Sequence, residues 1–259
     1  MKLSRRLQAV ADYVTSGHRM ADIGSDHAML PVYLLQAGKC PSAVAGELNK
    51  GPYEAARKQV ADAGLNERLA VRQGNGLAVV RAGETDAVTI AGMGGSLMRD
   101  ILETGRKEGK LEGVKELVLQ PNVGEELVRE WLFEQGWYLK AESIVEEDGK
   151  IYEIMHAVKS EDAAARNAEL YDGRFLPLEL SREAGRALLM RMGPHLLRSP
   201  QPALFTKWRG ELHKLERIWW QMGDSELPEA ARKRERYREE MNRLEEVLQC
   251  LPTVKPSYS

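Results

Sequence analysis

The stretch Arg19-Met20-Ala21-Asp22-Ile23-Gly24-Ser25-Asp26-His27-Ala28-Met29-Leu30-Pro31 decides the reading of this chain. A short apolar run ends in a carboxylate. A glycine, small polar residues, an alanine and a proline able to open a helix follow it. That order describes a strand, a tight turn and a helix N-terminus, by which a Rossmann-like sheet presents a nucleotide-type ligand at its carboxyl edge. It departs from the dinucleotide fingerprint. G-x-G-x-x-G sets helix N-terminal amides against a pyrophosphate, which needs close backbone approach and no neighbouring anion. Here Gly24 is the only glycine of the turn, and Asp22 and Asp26 flank it. Such a turn repels a pyrophosphate and attracts a cationic ligand with an amino-acid end and a ribose. S-adenosylmethionine is such a ligand, with a sulfonium, an ammonium, two ribose hydroxyls and no phosphate. The plainer reading is a strand–turn–helix with acidic turn residues.

Strands and helices alternate outward from this turn. Residues 1–17 read as a helix, with Leu3, Leu7, Val10 and Val14 at helical spacing. Its cations Lys2, Arg5 and Arg6 form either a solvated face or a phosphate contact at the mouth of the site. Residues 19–23 are the first strand, and 31–37 the helix after the turn. Ala43–Glu47 is a second strand. Its terminal carboxylate, about 20 residues past the turn, can accept from both hydroxyls of a ribose. Gly51-Pro52 opens a helix to residue 63. Leu69–Gln73 is the third strand, followed by Gly74-Asn75-Gly76. That segment is either an adenine-binding end or a plain Asn-Gly turn. Residues 86–90 form a fourth strand entering a Gly-rich loop, Ala91-Gly92-Met93-Gly94-Gly95, which removes side chains where two ligands approach. Residues 116–119 form a fifth strand leading into Gln120-Pro121-Asn122, a rigid pair of amides around a proline. Residues 137–145 and 150–158 close as an antiparallel pair. The whole is an α/β doubly wound sheet of about seven strands.

Composition changes near residue 160, where the chain turns polar and Ala-rich, and the domain boundary is placed there: 1–160 and 161–259. Beyond it, Phe205, Trp208, Leu212, Leu215, Trp219 and Met222 form one heptad seam, and Tyr237, Met241, Leu244, Leu248 and Leu251 a second. Residues 223–228 are the break. The expected structure is an antiparallel coiled-coil hairpin, paired within one chain and hence monomeric. The basic run Arg232, Lys233, Arg234, Arg236 is either a solvated face or a grip on RNA backbone.

The net charge of −2 over 259 residues does not announce a nucleic-acid partner by itself. Cys40 and Cys250 lie far apart and outside any metal-ligand spacing, so neither a disulfide framework nor a metal site is expected. No apolar run approaches the roughly 20 residues that span a bilayer. The N-terminus shows no signal-peptide h-region. The chain therefore reads as cytoplasmic.

Taken in order, Asp22 to Ala28 with Leu30-Pro31, Ala45-Gly46-Glu47, Gly51-Pro52, Arg72 to Leu77, Ala91 to Gly95, Gln120-Pro121-Asn122 and Glu146-Glu147-Asp148-Gly149 resemble the bacterial tRNA adenine-N1 methyltransferases that modify adenosine 22, the TrmK family. The resemblance implies a class I methyltransferase fold, S-adenosylmethionine as donor and tRNA as substrate. It implies that Asp22, Gly24, Ser25 and Asp26 hold the donor's amino-acid end and Glu47 its ribose. Gly74 and Asn75 would take the adenine, and Ala91, Gly92 and Met93 lie beside the methyl group. Adenine N1 attacks with its own lone pair, so no strong base is required. Asp26 is then expected to accept from the exocyclic amine, Gln120 and Asn122 to position the base edge, and His27 to orient Asp26 or touch substrate. Met29 and Asn75 depart from the pattern, where Tyr and Asp are expected, and weaker donor binding follows. The competing readings are a methyltransferase on another substrate, a non-enzymatic RNA- or partner-binding protein, and a dinucleotide-dependent oxidoreductase.

Overall fold

The computed structural model describes residues 2–223 and 228–252. Short apolar runs form seven strands: β1 (Met20–Ile23), β2 (Ala43–Glu47), β3 (Leu69–Gln73), β4 (Ala87–Met93), β5 (Glu116–Pro121), β6 (Tyr138–Glu147) and β7 (Lys150–Val158). α1 (Arg5–Tyr13) precedes β1, and α2 (Met29–Gln36), α3 (Lys50–Asp62), α4 (Gly95–Lys107) and α5 (Glu125–Glu134) lie between successive strands. One sheet results, in the order β3-β2-β1-β4-β5-β7-β6. β1 to β5 run parallel, and β7 is antiparallel to both β5 and β6. Every residue of β1 and β2 is buried, as expected of parallel strands covered on both faces. Chain order reverses between β1 and β4. At that point the carboxyl ends of open parallel sheets leave a crevice for ligands.

Several boundaries differ from the sequence reading: α1 spans Arg5–Tyr13 rather than 1–17, β6 spans Tyr138–Glu147 rather than 137–145, and three further differences fall at the carboxyl edge of the sheet. Helix α2 opens at Met29, ahead of Pro31, because Ala28 already stands at its N-cap in a left-handed conformation. The Gly-rich segment expected as a loop is largely strand. Ala91 pairs with Gln120 and Met93 with Pro121, and the register shifts between Ala91 and Met93. Gly92 falls in that bulge at φ +78°. For the same reason β5 continues through Gln120 and Pro121. Beyond it, Gly95 donates to the Val123 carbonyl at 2.7 Å, and a Cβ at Gly95 would stand 2.0 Å from the Gly124 oxygen. Only glycine permits this approach of α4 to the loop after β5.

Two buried charged clusters tie the sheet to its helices. Arg129 of α5 bonds Glu142 of β6 at 2.7 Å and pairs with Glu153 of β7, with all three side chains fully buried. Glu116, at the start of β5, accepts from the Thr15 amide at 2.8 Å and its hydroxyl at 2.7 Å. It also bonds His18 Nδ1 at 3.0 Å and His156 Nε2 at 2.9 Å. This joins the segment after α1 to β5 and β7.

The chain divides into two compact units between Leu170 and Tyr171, beyond the composition change near 160. Helix α6 (Ala163–Leu170) carries the polar, Ala-rich composition, yet its Asn167 donates to the Trp137 carbonyl at 2.7 Å and stays with the first unit. The second unit contains α7 (Arg182–Met192), α8 (Pro194–Arg198), α9 (Pro202–Gln221) and α10 (Pro228–Cys250). α9 and α10 pack against each other. Leu204, Trp208 and Leu212 are the buried residues of α9, and Leu244 and Val247 are buried on α10, with Leu251 just past its end. The expected seam residues Phe205, Leu215, Trp219, Met222, Tyr237, Met241 and Leu248 are half-buried. Most of the expected break, 224–227, lies outside the described residues.

Burial alone would push the Glu116 carboxyl up, but the donors from His156, Thr15 and His18 bring it down to about 2. A depressed carboxyl stabilises the fold above its unfolded value of 4.5, and that stability is lost as pH falls toward about 2. Glu116→Gln is expected to cost about 1.5–3 kcal/mol at neutral pH. Its difference from the wild type should shrink as the pH drops through that window. Urea unfolding at a series of pH values checks this.

Candidate active site at the carboxyl edge of the sheet

Asp22, the penultimate residue of β1, lies inside the protein, 4% exposed. Its Oδ2 accepts from Ser25 Oγ at 2.6 Å, and its Oδ1 from Thr89 Oγ1 of β4 at 2.5 Å. Burial pushes this carboxyl above its ordinary value, and the bonds from Ser25 and Thr89 oppose that. The amides of Gly24 and Ser25 donate to the Gly46 carbonyl at 2.9 and 3.3 Å, tying the turn to β2. After Gly24 at φ +68°, Asp26, His27 and Ala28 follow at +42°, +67° and +56°. Three successive L-residues in the left-handed region cost about 1–2 kcal/mol each. Such strain persists where the surroundings over-determine the backbone. The turn leaves the Asp26 side chain 87% exposed and His27 57% exposed, with His27 Nε2 3.6 Å from Asp26 Oδ1.

Glu47 ends β2 and is also buried. It accepts the backbone N–H of Asp26, but its Oε1 is buried with no hydrogen-bond partner. Burial raises its carboxyl pKa, and the charges of Asp22 and Asp26 push the same way. An unmet buried acceptor costs about 1–3 kcal/mol and calls for an explanation. A hydroxyl donor arriving in the crevice would satisfy it. The Gly74 amide donates to the Glu47 carbonyl at 2.9 Å, joining the ends of β3 and β2. Next to them, exposed Asn75 lines a cleft of about 350 Å³ with Gly76, Leu77, Leu97, Asp100 and Ile101.

On the other side of β1, a Cβ at Gly24 would stand 2.2 Å from Met93 Cε, so the Met93 side chain lies against the turn. Gln120 is fully buried and fully used. Its Oε1 accepts from Arg6 Nη1 at 2.7 Å and from the Gly92 amide at 3.1 Å. Its Nε2 donates to the Pro121 carbonyl at 2.9 Å and to Asn122 Oδ1 at 3.1 Å. Asn122 in turn donates from Nδ2 to the Gly92 carbonyl at 2.8 Å and remains exposed. Of the two amides expected to position a base, Gln120 braces and Asn122 faces outward.

The structure thus gathers Asp22, Gly24, Ser25, Asp26, His27, Glu47, Gly74, Asn75, Ala91, Gly92, Met93, Gln120 and Asn122 along the carboxyl ends of β1 to β5. Among the cations, Lys2 and Arg5 are exposed, whereas Arg6 turns in toward Gln120. On α10, Arg232, Lys233 and Arg236 are exposed, and Arg234 lies 4.0 Å over the Trp219 ring. The sequence reading missed Thr89, although a lone hydroxyl in the run Ala87-Val88-Thr89-Ile90 was the available signal. It also missed Leu97, whose exposure needs the fold to be seen. Among the described residues no group of three His, Cys, Asp or Glu could hold a metal, and no helix is long and apolar enough to cross a membrane.

This strand order, with a glycine-poor acidic turn after β1 and a carboxylate closing β2, defines the Rossmann-like class I methyltransferase fold. The family model described as tRNA (adenine(22)-N(1))-methyltransferase, TrmK, matches residues 20–247, and the chain belongs to that family. It is 42% identical over 245 residues to the tRNA (adenine(22)-N(1))-methyltransferase of Bacillus subtilis, covering 95% of each chain. The crystal structure of the B. subtilis M1A22 tRNA methyltransferase TrmK superposes with a TM-score of 0.83, covering 95% of this chain and 99% of that one. The Streptococcus pneumoniae protein Sp1610, in complex with S-adenosyl-L-methionine, is 37% identical and superposes at 0.78, covering 95% of this chain and 100% of the other.

A raised carboxyl favours the fold only while it is protonated, so the stability owed to Glu47 is lost as pH rises through its folded value. Glu47→Gln should therefore raise the melting temperature of the ligand-free protein at neutral pH, by about 2–4 °C per kcal/mol relieved. The gain should vanish at acid pH. Calorimetric melting at a series of pH values measures both.

Proposed function

We propose that the chain transfers a methyl group from S-adenosylmethionine to N1 of adenosine 22 in tRNA. The observation that carries this reading is the unpartnered, buried Oε1 of Glu47, at the end of β2 in a chain of this family. A ribose hydroxyl supplies the donor that this oxygen lacks. Gly74 and Asn75, with the cleft beside Leu97, receive the adenine. Asp22 holds the turn, and Asp26 with Glu47 gives the crevice the negative potential that suits a sulfonium and an ammonium. Met29, a half-buried residue at the start of α2, and the uncharged Asn75 weaken donor binding without abolishing it.

Neutral adenine carries a lone pair on N1, so the chain needs to align the base and offset its developing charge. S-adenosylmethionine, when bound, supplies the electrophilic methyl. Asp26, exposed on the strained turn, accepts from the exocyclic amine and stabilises the cationic product, and His27 orients it. Asn122, braced by Gln120 and Gly92, holds the base edge. N1 lies on the Watson–Crick edge, so the target adenosine must be unpaired or turned out of its stack. Lys2 and Arg5, with Arg232, Lys233 and Arg236 of α10, contact RNA phosphates. The methyltransferase domain, placed by composition at residues 1–160, extends through α6 to Leu170, the remainder is a helical RNA-binding domain, and the protein works as a cytoplasmic monomer.

Methyl transfer from radiolabelled donor to unmodified tRNA, followed by nucleoside analysis, tests this. Labelled 1-methyladenosine is expected, with none on tRNA carrying guanosine at position 22. Asp26→Ala should bind donor and lose transfer by about 100-fold or more. Label on another nucleoside, or on the substituted tRNA, overturns the substrate assignment. Full transfer by Asp26→Ala overturns the role of Asp26.

A further inference from the structure

Arg209, His213, Arg217 and Trp220 of α9 follow one another at intervals of four, four and three residues, so they share one face of the helix. All four are exposed, Trp220 to 73%. The packed face lies opposite, where Leu204, Trp208 and Leu212 are buried. Neither arginine nor His213 makes an ion pair among the described residues. The nearest carboxylates in sequence, Glu211 and Glu216, are half-buried, and Glu211 is spent on Lys214 at 2.5 Å. The basic run of α10 differs, being interleaved with acid, and its Arg238 is paired with Glu235 at 2.9 Å. Along α9 the basic row rises by about 6 Å per member. That is comparable to the step between neighbouring phosphates of an RNA strand.

Trp220 is braced. Its ring meets that of Trp219 edge to face, with centroids 5.1 Å apart at 83°, and the Arg234 guanidinium of α10 lies 4.0 Å over the Trp219 ring. Trp219 is half-buried, so the indole pair is anchored on both long helices. A single exposed apolar side chain needs no explanation. A braced indole that ends a row of uncommitted basic side chains is a different case. Unpaired RNA is held in that way, with bases stacked on aromatic rings and the backbone followed by positive charge. Thr206 and Gly210 complete the face, which therefore lacks the apolar centre of a protein interface.

We propose that this face of α9 reads the tRNA: Trp220 stacks on an unpaired base, and Arg209, His213 and Arg217 follow the adjoining phosphates. The proposal rests on the substrate assignment above and adds a contact separate from the α10 cations.

Equilibrium binding of unmodified tRNA tests it, with a blunt RNA duplex as the control. Trp220→Ala should bind tRNA about 5- to 100-fold more weakly and the duplex as the wild type does. Trp220→Phe should recover most of the loss, and Trp220→Leu, apolar without an aromatic face, should not. Replacing Arg209 and Arg217 by Gln should lower the slope of log affinity against log salt by about 0.7 for each arginine. In turnover, Trp220→Ala should raise the KM for tRNA and leave kcat and S-adenosylhomocysteine affinity at wild-type values. Equal losses on tRNA and duplex, or full recovery with Trp220→Leu, overturn the stacking role. Wild-type tRNA affinity in Trp220→Ala overturns the proposal. If that variant instead loses self-association, or binding to anionic phospholipid vesicles, the face belongs to a second copy or to a membrane surface. Methylation of tRNA unimpaired in Trp220→Ala overturns this face alone. Trp220-dependent tRNA binding without any methyl transfer overturns the methyltransferase reading and leaves the face standing. Wild-type protein that binds no tRNA overturns both.

Discussion

Asp22 is held between Ser25 on its own turn and Thr89 on the neighbouring strand, with an oxygen given to each. The crevice depends on that bracket. It joins β1 to β4 at the point where strand order reverses, and it fixes the start of a turn that then runs through three left-handed L-residues. Together with the Gly24 and Ser25 amides on Gly46, it holds Asp26, His27 and Ala28 in a conformation they disfavour. The turn in turn supplies the Asp26 amide that holds Glu47. Burial raises the carboxyls of both Asp22 and Glu47, so the site is assembled at some expense to the stability of the empty fold.

Division of labour among similar side chains follows from how many of their polar atoms the fold consumes. Gln120 has none to spare and acts as a brace between Arg6, Gly92 and Asn122. Asn122, exposed at the strand end, keeps capacity for an incoming base. Among the carboxylates, Asp22 is occupied, Glu47 has one unmet oxygen and Asp26 is open to solvent. Sequence position alone does not separate these roles, because it does not report where each hydrogen bond goes.

Strands β2, β3 and β7 were legible to the residue because glycines, prolines and turn residues punctuate them in the sequence. The ends of β4 and β5 were not. Glycine is a weak strand former, and only the pairing of Ala91 with Gln120 and Met93 with Pro121 extends both strands. The sequence points to Pro31 as the start of helix α2, since nothing in it announces that Ala28 adopts a left-handed cap. In the sequence Arg6 is indistinguishable from Lys2 and Arg5, as a solvated face or a phosphate contact. Its inward turn depends on Tyr152 and Gln120, which are distant in sequence. The two long helices were foreseen, but their buried lines are not the full expected seams: Leu204 and Val247 are buried while Phe205 and Leu248 are half-exposed. Adjacent residues at the edge of a heptad face are distinguished only by the packing around them.

The most direct test is a crystal structure of the protein with S-adenosylhomocysteine. A ribose hydroxyl is expected within hydrogen-bonding distance of Glu47 Oε1, and the adenine in the cleft beside Asn75 and Leu97. A nucleoside bound away from Glu47 would contradict it, as would a ribose that leaves that oxygen without a partner.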